Sequence, residues 1–291
     1  MDKVLLGRSL YHDKRLSGDE TIACVSCHSF DHGGSEALKT STGIRKQKGP
    51  INAPTVLNSS LNFRQFWDGR AADLKEQALG PVTNPLEMGA KWEDVLPKLA
   101  KDKAYKDAFA KLYDGKVNKE NVVDAIAEYE SSLITPSRFD KFLRGDKDAI
   151  SQAEKDGYVK FKETGCISCH IGPGVGGTMY QKMGLVKDYF KARGGELSEA
   201  DMGRYNVTKN EADKHFFKVP LLRNIELTPP YFHDGSVATL EEAVTIMARH
   251  QLGKELSEKD VASIVTFLKT LTGELPAHTK PDADASAAHK G

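Results

Sequence analysis

The chain has 291 residues, a length that suits two modest helical domains better than a single core. Its 41 basic and 41 acidic residues cancel, so no net field points to nucleic acid, and any charged docking patch has to be local. The longest apolar runs, such as 261–271, are broken by polar residues and fall short of the ~20 apolar residues of a membrane span.

From the start, residues 1–10 (MDKVLLGRSL) lack the apolar core and small-residue cleavage site of a signal peptide and read as the beginning of a processed chain, which is no argument for the cytoplasm. Apolar residues recur at three and four positions without long alternating runs, which predicts a mainly α fold with at best short strands. A Cys-x-x-Cys-His motif falls at Cys24, Cys27 and His28. Asn118 is a predicted N-cap for a helix with the stripe Val122, Ile126, Tyr129 and Leu133, ended by Pro136. Residues 135–148 (TPSRFDKFLRGDKD), charged and containing Pro and Gly, read as a linker. Ser151 and Glu154 form a predicted capping box for a helix leading into a second motif at Cys166, Cys169 and His170. Thr239 and Glu242 do the same for a helix with Leu240, Ala243, Val244 and Met247 on one face. The tail from Pro276 onward is small and polar and predicts a disordered or draped segment. The organisation read from these signals is a domain over 1–135, a linker over 136–150, a second domain over 151–275 and a tail over 276–291. A short echo, Gly7 to Tyr11 before the first motif and Gly157 to Phe161 before the second, suggests duplication of one unit.

All four cysteines lie within the two motifs. Cys-x-x-Cys spaces two thiols so that each can form a thioether to one porphyrin, and the adjacent His faces the iron. The alternatives are a zinc ribbon, whose cysteine pairs lie within a few tens of residues, and a redox dithiol; neither requires His after each pair. The motifs therefore predict two cytochrome c-like helical domains, each with one covalently bound haem c and with His28 and His170 as proximal ligands. Whatever occupies the sixth position of each iron decides the chemistry. For Met247, spacing alone favours an ordinary core residue over a ligand.

Beyond the motifs, the chain resembles the bacterial dihaem cytochrome c peroxidases, relatives of the protein-modifying enzyme MauG. The likeness runs from about Leu6 to Gly273 and includes Asn52-Ala-Pro-Thr55, Gln65-Phe-Trp-Asp-Gly-Arg-Ala-Ala-Asp-Leu-Lys-Glu-Gln77, Asn84-Pro-Leu-Glu-Met88, Leu222-Arg-Asn-Ile-Glu-Leu-Thr228, Pro230-Tyr-Phe-His233 and Gln251-Leu-Gly253. It implies a periplasmic enzyme that reduces hydrogen peroxide with electrons from a small c-type cytochrome or cupredoxin. It also implies a low-potential peroxidatic haem on His28 and a high-potential haem on His170 and Met247, where MauG has a tyrosine. Trp67 then corresponds to the tryptophan between the haems, Glu87 to the distal acid-base residue, and Gln77 and Phe66 to its neighbours. The resemblance further implies one calcium ion, held by Asn52, Thr228 and Pro230 through hard oxygen donors, and a homodimer.

One departure matters. Where the family pattern Ser-x-Gly-His places a histidine that caps the peroxidatic iron, this chain has Ser41-Thr42-Gly43-Ile44. Ile44 cannot ligate iron, so the expectation is an enzyme active without reductive activation; His32, in a loop made flexible by Gly33 and Gly34, is the competing sixth ligand. The rival functions are a dihaem electron-transfer cytochrome and a MauG-like oxidiser of a partner protein. His233 is expected either near the C-terminal haem or in a structural role, and Arg223 to pair with a haem propionate or another buried carboxylate.

Overall fold

The structure, a computed structural model, describes residues 2–279. About half of the chain is helical and strands are few. The first half contains α1 (Lys3–Tyr11), α2 (Cys24–Cys27), α3 (Leu74–Thr83), α4 (Trp92–Lys101), α5 (Lys103–Tyr113) and α6 (Lys119–Ser131). The second contains α7 (Arg138–Leu143), α8 (Gln152–Thr164), α9 (Tyr189–Arg193), α10 (Tyr205–Thr208), α11 (Leu240–Gln251) and α12 (Glu258–Lys269). A short antiparallel pair, β1 (Tyr180–Lys182) and β2 (Phe216–Lys218), sets Gln181 opposite Phe217. Among the described residues no helix is long and apolar enough to cross a membrane.

The helices start where their polar caps require. Asn118 accepts from the Asn121 amide at 2.8 Å, and Thr239 from the Glu242 amide at 3.2 Å. Ser151 and Glu154 close the reciprocal box at the head of α8.

The echo between Gly7 and Gly157 has a packing cause. A Cβ at Gly7 would run into the carbonyl oxygen of Ala125, and one at Gly157 into that of Ser263, so each glycine lets two helices cross at backbone distance. Helix α1 thus crosses α6 over Leu6, Leu10, Val122 and Ile126, and α8 crosses α12 over Phe161, Ile264 and Phe267. The repeat extends further than the sequence suggests. Asn58 and Asn224 both take left-handed φ, 60° and 59°, and so do Phe66 and Phe232, at 68° and 70°. Such angles are strained for a bulky residue, and their recurrence at matching places marks a shared backbone requirement.

The two halves meet at Thr135, which is fully buried. Its Oγ1 accepts from Asn58 Nδ2 at 2.8 Å and from Asn224 Nδ2 at 2.9 Å. A second pair of bonds crosses the seam with the same symmetry: Asn52 N donates to His233 O, and Lys218 N to Trp67 O, each at 2.8 Å.

One expectation needs correction. The stretch read as a linker holds α7, whose Phe139 is buried with its ring 5.1 Å from that of Phe267. Its charges are partly committed: Ser137 and Asp140 form a capping box, and Arg138 pairs with Glu154 at 2.6 Å. The start of the tail takes the draped one of its two expected forms: Ala277–Thr279 forms a 3-10 turn and His278 Nε2 lies 2.8 Å from Ser132 Oγ. The rest of the predicted disordered tail, 280–291, lies outside the described residues.

Candidate functional site

The first Cys-x-x-Cys-His motif forms the single turn α2 and is braced by Tyr11, whose hydroxyl donates to the His28 carbonyl oxygen at 2.8 Å. His28 Nδ1 is buried without a hydrogen-bond partner. Burial lowers the His28 pKa, against the opposing pull of the Gly34 and Pro54 backbone, which lies near the ring without closing a well-aligned bond to Nδ1. His170 repeats the arrangement: Nδ1 is buried and unpartnered, and burial pushes its pKa down to about 4 against the pull of Val175 and Pro220. A neutral imidazole is the form that coordinates a metal.

All four cysteines are free thiols. Burial pushes Cys24 and Cys27 up to about 12 and Cys166 up to about 11. The shift is what apolar burial does to any thiol, and it leaves these side chains as neutral, poorly nucleophilic groups.

Glu87 follows α3 on a turn fixed by Asn84, whose Nδ2 donates to Glu87 Oε1 at 2.7 Å. Its negative charge is felt at both Cys24 and Cys27, so the carboxyl lies within electrostatic reach of the first motif. Burial raises the Glu87 pKa; the Asn84 bond and the positive charge of Arg70 oppose the rise. Arg70 itself lies 3.5 Å over the Phe66 ring, and a Cβ on Gly80 of α3 would also touch that ring. Gln77, half-buried, sits on the same helix. Phe66, Gln77 and Glu87 thus come from one continuous stretch around α3. Arg70 lies inside the motif Gln65–Gln77, but sequence reasoning gave it no role; the visible signal was a cation four residues after an aromatic.

Ile44 is buried, and its amide donates to the Glu87 carbonyl oxygen at 2.8 Å. A Cβ on Gly89 would collide with the Ile44 side chain at its Cδ1, so isoleucine and glycine interlock. His32 is exposed, and the neighbouring Gly33 faces Leu227 and Thr228. That surroundings differs from the Ile44–Glu87 turn, so the idea of His32 as a substitute ligand finds no geometric support.

In the second half, Cys166, Cys169, His170 and Met247 line one cavity. Met247 projects from α11 against an apolar cluster containing Met183, Tyr189, Phe190 and Phe217. Trp67 reaches the same cavity from the first half, with Nε1 donating to Asn52 O at 2.9 Å. Asn52, Thr228 and Pro230 also line it. Asn52 Nδ2 donates to the Leu38 carbonyl at 3.0 Å, which leaves Oδ1 as the donor atom a hard cation takes. The lining suits a planar apolar cofactor, with an imidazole and a thioether among its walls, and Asn52, Thr228 and Pro230 supply neutral oxygens of the kind a hard cation takes.

His233 lines this cavity too, near His170 and Met247 as one option had it, and its contacts are also structural. Its Nε2 lies 2.8 Å from Asp201 Oδ1, and its ring packs edge-on to Trp67 with centroids 6.4 Å apart. Although buried, Asp201 is held well below the usual carboxylate range by Arg193, Ser198 and His233. Asp201, His233 and Asp234 converge as a metal site would, but Arg193 bridges both aspartates at 2.7 and 2.8 Å and supplies the positive charge. Arg223 takes the second of its two expected options, forking onto Asp140 at 2.8 and 2.7 Å.

Comparison with known proteins agrees with these motifs. Residues 1–148 match the family described as di-haem cytochrome c peroxidase. The chain is 51% identical over 282 residues to a cytochrome c551 peroxidase of Nitrosomonas europaea, covering 96% of this chain and 83% of that protein. It is 44% identical to a cytochrome c551 peroxidase of Pseudomonas aeruginosa, covering 97% and 82%. Among solved structures, a MauG-like protein associated with microbial copper homeostasis superposes with a TM-score of 0.82 at 27% identity, over 94% of this chain and 89% of that one.

Proposed function

The chain belongs to the di-haem cytochrome c peroxidase family, oxidoreductases acting on peroxide, and from that premise we propose that it reduces hydrogen peroxide to water in the periplasm with electrons from a small c-type cytochrome or cupredoxin. Its two haem domains span 1–135 and 136–275, the second beginning with α7. Cys24, Cys27 and His28 hold one haem; Cys166, Cys169, His170 and Met247 hold the other. When bound, the haems supply two redox irons, one to reduce peroxide and one to exchange electrons with the donor. Calcium at Asn52, Thr228 and Pro230 would tie the halves at their seam, and the working form is a homodimer.

The chain's own residues handle protons and position. Glu87, beside the first motif, takes the proton from one peroxide oxygen and returns it to the other, so that peroxide, two electrons and two protons leave as two waters. Its burial raises the carboxyl's pKa, and the Asn84 bond and Arg70 limit the rise. Gln77 and Phe66 wall the same side. Trp67 offers its ring to electrons crossing between halves, anchored through Nε1 to Asn52 and through its carbonyl to Lys218. Met247 raises the potential of its haem and distinguishes this chain from a MauG-like oxidiser.

The single observation supporting this reading is the buried turn in which the Ile44 amide bonds the Glu87 carbonyl oxygen, with the Glu87 carboxyl within electrostatic reach of Cys24 and Cys27; the resemblance expects a capping histidine where Ile44 stands. We further propose that the haem on His28 keeps its distal side open even when both irons are ferric. Electron paramagnetic resonance of the oxidised holoprotein is expected to contain a high-spin ferric signal, and peroxide turnover with reduced cytochrome c is expected without a pre-reduction lag. A purely low-spin spectrum with no turnover would return the protein to electron transfer alone.

A further inference from the structure

The cavity that holds His170 and Met247 contains a lysine that the sequence gave no reason to single out. Lys218 ends β2 and is 6% exposed. It lines the same cavity as Cys166 and Cys169. Its Nζ reaches Asn62 Oδ1 at 3.2 Å, and among the described residues no carboxylate forms an ion pair with it. An ammonium buried without an anion is costly, so a lysine kept in a cavity wall calls for a negative group inside that cavity.

Its place in the repeat is equally specific. Lys218 and Asn52 are counterparts: each precedes a short run ending in proline, Pro220 and Pro54, whose backbone lies by the proximal histidine of its own half. Each also sends its amide across the seam, Lys218 to Trp67 and Asn52 to His233. Where one half carries a neutral amide, the other carries a fixed cation.

We propose that Lys218 is the ion-pair partner of a propionate of the haem bound by His170, a positioning residue that holds that haem and raises its reduction potential. The inference rests on the reading that His170 carries a haem. A haem propionate is the anion that such a cavity would bring in, and the cation stabilises the electron added to the nearby iron. Arg223 cannot serve, because its guanidinium is occupied by Asp140 and by the Pro173 carbonyl. Burial alone pushes Lys218 down to about 8, and a propionate alongside restores its charge.

The test is spectroelectrochemical titration of the holoprotein and of Lys218→Met and Lys218→Arg, with haem content measured first. The expected result is a more negative midpoint for the His170 haem in Lys218→Met, recovery toward the original value in Lys218→Arg, and an unmoved midpoint for the His28 haem. Unchanged midpoints, or a shift confined to the His28 haem, overturn the proposal while leaving the peroxidase reading intact; a wild-type chain carrying only one haem overturns that reading instead. Should Lys218→Met fail to hold haem, the wild-type holoprotein labelled with 15N-lysine decides. With the His170 haem reduced, one exchange-protected ammonium that moves on reoxidation supports the ion pair, and the absence of any such signal rejects it.

Discussion

The amide of Ile44 donates to the carbonyl oxygen of Glu87 at 2.8 Å, so the residue standing where a capping histidine is expected is bonded to the peptide of the residue proposed to carry the proton. Gly43 lies against the same turn, where a Cβ would strike the carbonyl oxygens of Leu86 and Glu87. A change in one loop is therefore transmitted to the other by backbone contact rather than through solvent.

Replacing Ile44 follows directly from that contact. Ile44→His is expected to convert the high-spin ferric signal of the oxidised holoprotein to low-spin and to make turnover depend on prior reduction. Paramagnetic resonance and stopped-flow mixing with peroxide check both, and an unaltered spectrum would show that position 44 does not reach the iron.

Glu87→Gln removes the proton carrier while keeping shape. Peroxide turnover is expected to fall about 10²–10⁴-fold, the usual contribution of a positioned acid-base group. Because burial raises the Glu87 pKa, the wild-type rate should decline with falling pH at a value above the ~4.3 of an ordinary glutamate, since the base is lost as the carboxyl protonates. The same acidic limb surviving in Glu87→Gln would assign it to another group.

Thr135→Val tests the seam. Its hydroxyl accepts from two buried amides, those of Asn58 and Asn224, and an unmet buried donor costs about 1–3 kcal/mol. The melting temperature of the holoprotein should drop by ~2–4 °C per kcal/mol lost. A neutral outcome would mean that water or a shifted side chain replaces the hydroxyl.

Glu130 predicts a pH-dependent stability. It is 5% exposed, and burial pushes its pKa up to about 8. In the unfolded chain the carboxyl ionises near ~4.3, whereas the folded chain keeps it protonated, so Glu130 progressively costs stability as pH rises from about 4.3 to about 8. Glu130→Gln should match the wild type in melting temperature near pH 4 and exceed it at pH 8. A difference independent of pH would assign the effect to packing.

Much of the molecule was legible in one dimension because its signals are local. The two Cys-x-x-Cys-His motifs, the caps Asn118, Ser151 and Thr239, and the Gly7 and Gly157 echo all depend on residues a turn or so apart, where spacing along the chain is spacing in space. The 135–148 stretch misled for the converse reason: its charges looked solvated, yet Arg138 and Asp140 find partners in Glu154 and Arg223, residues that composition cannot pair. His32 and Ile44 both follow the first motif in the same loop, and only the path of that loop separates an exposed imidazole from a buried isoleucine whose amide bonds Glu87 and whose side chain packs on Gly89.

By itself, the sequence determined a helical chain with two equivalent haem-attachment motifs and, through resemblance, the residues expected around them. Tertiary structure alone decided which polar groups face each other across the seam: Thr135 shared by two asparagines, Trp67 held by Asn52 and Lys218, and a lysine in the cavity of His170 with no ion-pair partner among the described residues. The physical reason is that burial and pairing are properties of surroundings assembled from distant parts of the chain, and the cost of an unpaired charge exists only once water has been excluded from around it.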